Sequence, residues 1–227
     1  MKALKAAIVG ILFIWSLNSF ADLRDFGYPC FHCQPISYDD SGFLLETSFS
    51  KKLSKVFKGE VNLQTRYMNR FSQLKGLMPE IGFSAKINKH FSIKTCYRYN
   101  LVWSTGSRVL IAGYYKWKKK GFPLNIQFRT RLETGDGDFW RNRIKTEFNM
   151  SKIVDPYSSF ETFYRLFTDG FINIIRYEGG LKWRLKKSVY LNTIYRFEKI
   201  YDNYSRSYRH YYTTYNHIVG ISLGISL

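Results

Sequence analysis

The sequence predicts an all-β chain: an antiparallel transmembrane β-barrel of about twelve strands, with ten as the alternative count, behind a cleaved signal peptide. Three observations carry that prediction. From residue 42 onward apolar and polar residues alternate with period two almost without interruption, and no stretch holds a sustained helical stripe. The polar phase carries Arg and Glu in strand after strand, whereas the other phase is Ile, Leu, Phe, Tyr, Thr and Trp. The first 21 residues have the form of an export signal. Composition narrows the field further. Hydrophobic residues at 45% and aromatics at 19% exclude disorder. After residue 17 no run approaches the ~18 apolar residues of a spanning helix, which excludes a helical membrane protein.

In chain order, Lys2 and Lys5 form a positive start, Ala6 to Trp15 is apolar, and Ser19 and Ala21 place small residues before Asp22. Cleavage is expected after Ala21. Residues 22–41 then form an N-terminal periplasmic segment, and residues 42–227 the barrel. Cys30-Phe31-His32-Cys33 lies in that segment. In an oxidising compartment this CxxC reads as a local disulfide. A haem attachment site needs His directly after the second Cys, where Gln34 stands, and a zinc site needs two further ligands that the neighbourhood lacks. Neither metal nor cofactor is expected. Cys96 falls on the polar phase of its strand and is expected to be free.

Strands are predicted at 43–50, 58–70, 80–87, 91–103, 109–117, 123–133, 140–150, 158–168, 172–184, 189–200 and 211–227. The alternation is clearest in Leu124 to Glu133, followed by Trp140 to Phe148. The connections fall into two alternating sets. One (51–55, 88–90, 118–122, 151–156, 186–188) contains Lys every time. The other (71–79, 104–107, 134–139, 168–171, 201–210) carries Gly, Asp or Tyr and includes the longest connections. A barrel with short periplasmic turns at one end and longer outer loops at the other alternates in this way. Because single-chain bacterial barrels have even strand numbers, Asp39-Asp40-Ser41-Gly42 reads as a turn and Gln34 to Tyr38 as a twelfth strand.

The predicted strands reach the ~9–11 residues that a tilted transmembrane strand needs, and only a closed barrel satisfies every backbone group in lipid. Tyr67, Trp103, Trp117, Trp140, Tyr157, Trp183 and Tyr201 stand near strand ends, where interfacial girdles belong. A soluble barrel would place its charges outside and its apolar phase within.

The residues of the polar phase are the candidates for function. Arg66, Arg98, Arg129, Arg131, Glu133, Arg141, Arg143, Glu147, Arg165, Arg176, Glu178, Arg196 and Glu198 are expected to line the lumen, with Arg outnumbering Glu nine to four. Such an interior would favour passage of small anionic solutes through a passive pore. The alternative is a non-conducting structural, adhesive or lipid-binding barrel. A third class, a lipid-modifying outer-membrane enzyme, lacks support. Of the four His, His32 precedes the barrel, His90 sits in a turn, and His210 and His217 lie on or near the last loop. Each inward Glu has Arg or Lys two residues away and reads as an ion pair, so no enzyme is expected. The net charge of +18 invites a nucleic-acid reading, but Arg inside a barrel and Lys in its turns do not make that surface. The expected setting is a monomer in the bacterial outer membrane. Its partners there are the membrane's lipid and the barrel-assembly machinery.

The stretch from Phe43 to Leu227 also resembles a family of small bacterial outer-membrane β-barrels catalogued as a domain of unknown function. The resemblance rests on Lys51 to Lys55 followed by the strand with Arg66, on Asn88 to Ser92, and on Tyr97-Arg98-Tyr99. It continues through Trp140 to Arg143, Pro156 with Phe160 to Tyr164, Gly179 to Trp183, Tyr195 to Phe197, and Asn216 to Ile218. It implies a fold and a location but no chemistry. The chain departs from the pattern by ending in Leu227 where such barrels usually end in an aromatic residue.

Overall fold

The computed structural model describes residues 36–102, 107–118, 121–135, 138–166, 172–205 and 210–227. They form β1 (Ile36–Lys52), β2 (Phe57–Met68), β3 (Gln73–Lys86), β4 (Phe91–Arg98), β5 (Arg108–Lys118) and β6 (Leu124–Thr134). β7 (Phe139–Phe148), β8 (Val154–Arg165), β9 (Ile172–Lys186), β10 (Val189–Ser205) and β11 (His210–Ser226) follow. Neighbours pair antiparallel around a closed barrel, and β1 meets β11 in parallel. The expected signal peptide, Cys30, Cys33 and Trp103 lie outside the described residues.

The eleven predicted segments correspond one to one with these strands, but the count of twelve gives way to eleven among the described residues. Asp39 to Gly42 do not turn the chain; β1 runs straight through them, paired with Asp40↔Asn216 and Gly42↔Ile218. Their turn-forming side chains serve a neighbouring turn instead. The Asp40 carboxylate accepts from Asn69 N at 3.2 Å, and the Ser41 carbonyl accepts from Arg70 N at 3.1 Å. That turn is tight, with Asn69, Arg70 and Phe71 all at positive φ (52°, 54° and 71°), so β3 begins at Gln73 where a loop over 71–79 was expected. An odd meander returns its last strand pointing the same way as its first. The seam is therefore parallel, from Ile36↔Tyr212 to Ser50↔Ser226.

The ladders pair like phase with like phase, which sorts the two faces. Leu45, Val61, Phe83, Ile93, Ile111, Phe128, Ile144 and Val219 point outward and are each about half exposed. Among the described residues that phase carries few charges, among them Lys51 at a strand end and Asp39 and Lys199 further along their strands. An apolar belt of this extent is larger than water-covered surfaces usually carry and is compatible with a membrane setting. The 11 residues of β5, at ~3.3 Å each and tilted ~40°, rise about 28 Å, which matches the ~25 Å apolar band of outer-membrane barrels. No described helix is long and apolar enough to cross a membrane.

Trp140 fits the aromatic girdle, half exposed with its Nε1 donating to Thr130 Oγ1 at 2.7 Å. Tyr157 does not. It stands opposite Gly180 on the inward phase, is buried, and donates its hydroxyl to the Thr193 carbonyl at 3.3 Å. A Cβ at position 180 would come within 3.0 Å of that hydroxyl, so the glycine makes the space that draws the ring inside.

Candidate functional site: the charged barrel interior

Inside the parallel seam lies a small apolar cluster of Leu44, Met68, Ile194 and Ile218. Leu44 is fully buried there because Gly220 faces it across the seam; a Cβ on that glycine would sit 2.6 Å from the Leu44 carbonyl oxygen. The rest of the interior is ionic, because every strand from β2 to β10 contributes charged alternates to the same phase.

Three glutamates organise it. Glu161 of β8 pairs with Arg176 at 2.9 Å, with Arg141 at 3.1 Å and with Arg129. Glu133 of β6 pairs with Arg131 at 2.6 Å, with Arg108 at 3.5 Å and with Arg141. Glu198 of β10 pairs with Arg66 at 2.5 Å, Arg176 at 2.8 Å and Arg196 at 3.9 Å, and Arg196 also meets Glu178 at 2.7 Å. Arg141 and Arg176 are shared between glutamates, so the pairs fuse into one lattice. The buried Phe163 ring takes both guanidinium groups on its faces, at 3.9 Å for Arg141 and 4.5 Å for Arg176. One contact decides the topology of the interior. Arg66 is on β2 and Glu198 on β10, with β1 and β11 between them around the wall, so their bond cuts through the interior over the seam instead of following neighbouring strands.

A second, smaller group lies beside the first. Glu80 holds Arg98 at 2.7 Å and Lys94 at 3.1 Å, while Glu60 holds Lys94 at 2.7 Å and Lys58 at 3.1 Å. Nearer the opposite wall Glu147 pairs with Lys182 at 2.9 Å, and the fully buried Asp155 with Arg184.

All thirteen residues predicted to line the lumen are on the inward phase. Nine of them (Arg66, Arg129, Arg131, Glu133, Arg141, Arg176, Glu178, Arg196, Glu198) belong to the fused lattice. Arg98 and Glu147 join the smaller groups, Arg165 stands inward opposite Phe139, and Arg143 stands inward opposite Glu161. The sequence reading missed Glu46, Glu60, Glu80, Glu161 and Asp155 among the acids, and Arg108 and Arg184 among the arginines. The same register places all of them inside. With these and Asp40, which the same register also turns inward, eleven arginines face ten carboxylates among the described residues, a surplus of one in place of the expected five. The remaining excess positive charge is carried by lysines. Cys96 is free, buried on the inward phase beside Gly82. Among the described residues no three His, Cys, Asp or Glu side chains are grouped as a metal site would require.

Burying so many charges is costly unless each finds several partners; Arg141 and Arg176, shared between glutamates, meet that condition, whereas the Nε atoms of Arg66, Arg129, Arg131 and Arg143 are buried without a hydrogen-bond partner. Fold and interior together define a closed β-barrel with an apolar outside and an interlocked ionic inside, an arrangement compatible with an outer-membrane protein. The chain belongs to the family described as "Protein of unknown function (DUF2490)", which matches residues 41–209. No curated protein matches it.

Proposed function

We propose that this protein is an outer-membrane barrel closed to free diffusion at mid-height, a structural or ligand-binding body in preference to a passive anion pore. The observation that carries this reading is the Arg66–Glu198 bond over the seam, continued through Arg176, Glu161 and Arg141 to Glu133. Eleven strands fall between the ~8 that side chains can fill and the ~16 that leave a channel, so occupancy of the interior decides. Interlocked guanidinium and carboxylate groups occupy it here. The barrel's apolar belt supports the membrane setting, and its bonding partners there are lipid chains.

Planar-bilayer recording tests the reading. Wild-type protein should insert without conductance steps. The double variant Glu161→Gln, Glu198→Gln removes two of the three hubs and leaves Arg66, Arg129 and Arg176 without a carboxylate, and should produce steps whose reversal potential in a salt gradient lies toward Cl⁻. Steady conductance from folded wild-type protein would overturn the closed lumen and restore the pore.

A further inference from the structure

We propose that the short-turn mouth of the barrel is a binding site for a small, multiply phosphorylated anion. A cavity of about 400 Å³ opens there, between the ends of β1 to β6 and the turns 53–56 and 87–90. Small-ligand sites generally fall in the range of ~300–1,000 Å³. From the strands, Lys52, Lys58, Lys86, Lys94 and Lys116 line it, and the turns add Lys55 and Lys89. Glu60 is the one carboxylate in this lining, already held by Lys58 at 3.1 Å and Lys94 at 2.7 Å. Among the described residues none of the other five lysines has a carboxylate within 4.0 Å. The mid-lumen lattice nearly balances its arginines with acids, so the positive excess of the interior gathers at this mouth. Like charges crowded in one cavity repel, and a polyanion relieves that repulsion.

The chemistry of the lining selects the ligand. No arginine is among the lining residues, so planar bidentate capture of a carboxylate is not offered; lysine ammonium groups act as point charges that suit phosphate. Ser92, Tyr114 and Gln127 add neutral hydrogen-bonding groups. The rim is held in shape before any ligand arrives. Ser54 Oγ accepts from Phe57 N at 3.0 Å, and Asn88 Oδ1 accepts from His90 N and Phe91 N at 2.8 Å each. Lys86 N donates to the Val56 carbonyl at 2.9 Å. Lys116 N donates to the His90 carbonyl at 2.9 Å, and His90 Nδ1 donates back to the Lys116 carbonyl at 3.0 Å. Lys86 and Lys116 are thus anchored through their backbones to the turns. This site does not depend on whether the lumen conducts.

Titration calorimetry on the folded protein in zwitterionic detergent, with inorganic tripolyphosphate as the probe, tests it. One saturable event is expected, weakening as salt rises toward about 0.15 M. Lys86→Gln with Lys116→Gln should weaken it by at least about tenfold, while Lys51→Gln with Lys199→Gln, on the outward phase, should leave it unchanged. Folding of each variant is read from its heat-dependent gel mobility; if the first pair fails to fold, Lys52→Gln with Lys89→Gln replaces it. Absence of saturable binding, or equal loss in the outward control, would overturn the proposal. A second arm adds lipid A to the micelles. Competition assigns the phosphate to a lipid headgroup, its absence to a soluble ligand, and both outcomes support the site.

Discussion

Ile144 is a position where a membrane-facing belt would have a measurable consequence. It lies at the middle of the ten-residue strand β7, points outward, and is flanked across the ladders by Phe128 and Phe160. At 44% exposure much of its side chain meets no other part of the protein. If the belt faces hydrocarbon, Ile144→Arg puts a guanidinium near the bilayer midplane at a cost of ~2–4 kcal/mol. That corresponds to a roughly 30- to 900-fold fall in the folding equilibrium. Leu185→Arg, also outward but at the end of β9, should cost only ~0–1 kcal/mol because the charge reaches the headgroups. The assay is reversible guanidinium unfolding in lipid vesicles, followed by fluorescence of the four tryptophans that lie after Ala21. Equal midpoints for the two variants would refute the assignment of the outward phase to lipid.

Glu161→Gln leaves Arg129 without a carboxylate and removes one of the two that hold Arg141 and Arg176, and should destabilise the barrel in micelles by ~3–5 kcal/mol in a denaturant titration; a loss under ~1 kcal/mol would show the lattice to be loose. Gly220→Val drives a side chain into the Leu44 carbonyl, 2.6 Å from an added Cβ, and should abolish the compact fast-migrating form on gels. Gly179→Ala, where a Cβ meets only Tyr157 O at 3.7 Å, should leave that form intact. Thiol counting on unreduced protein should find no reactive thiol when folded and one when denatured, since Cys96 is buried; three would remove the expected Cys30–Cys33 disulfide.

The two faces were legible in the sequence because a strand's side-chain period is two, so Arg129, Arg131 and Glu133 share a face whatever strand lies beside them. Partners were another matter. The i, i+2 rule finds Arg131–Glu133, yet Glu198 is held chiefly by Arg176 on the facing strand and by Arg66 over the seam. Register and closure set those contacts, and neither is written in local alternation. Glu161 was missed because Phe160 and Phe163, of opposite phase, flank it and blur the pattern. Glu80 was missed because its strand starts seven residues earlier than Pro79 suggests. Strand number failed for a related reason: Asp39 to Gly42 have turn composition, but their side chains cap the β2–β3 turn while the backbone stays extended.

The central claim is that charged side chains meet across the barrel interior, and a double-mutant cycle on Arg66 and Glu198 tests it most directly. Unfolding free energies would be measured in micelles for wild type, Arg66→Gln, Glu198→Gln and the pair. Contact at 2.5 Å predicts a coupling energy of ~0.5–3 kcal/mol between residues on strands that are not neighbours in the wall. Additivity within ~0.3–0.5 kcal/mol would mean that the two side chains do not touch, and would contradict the closed interior.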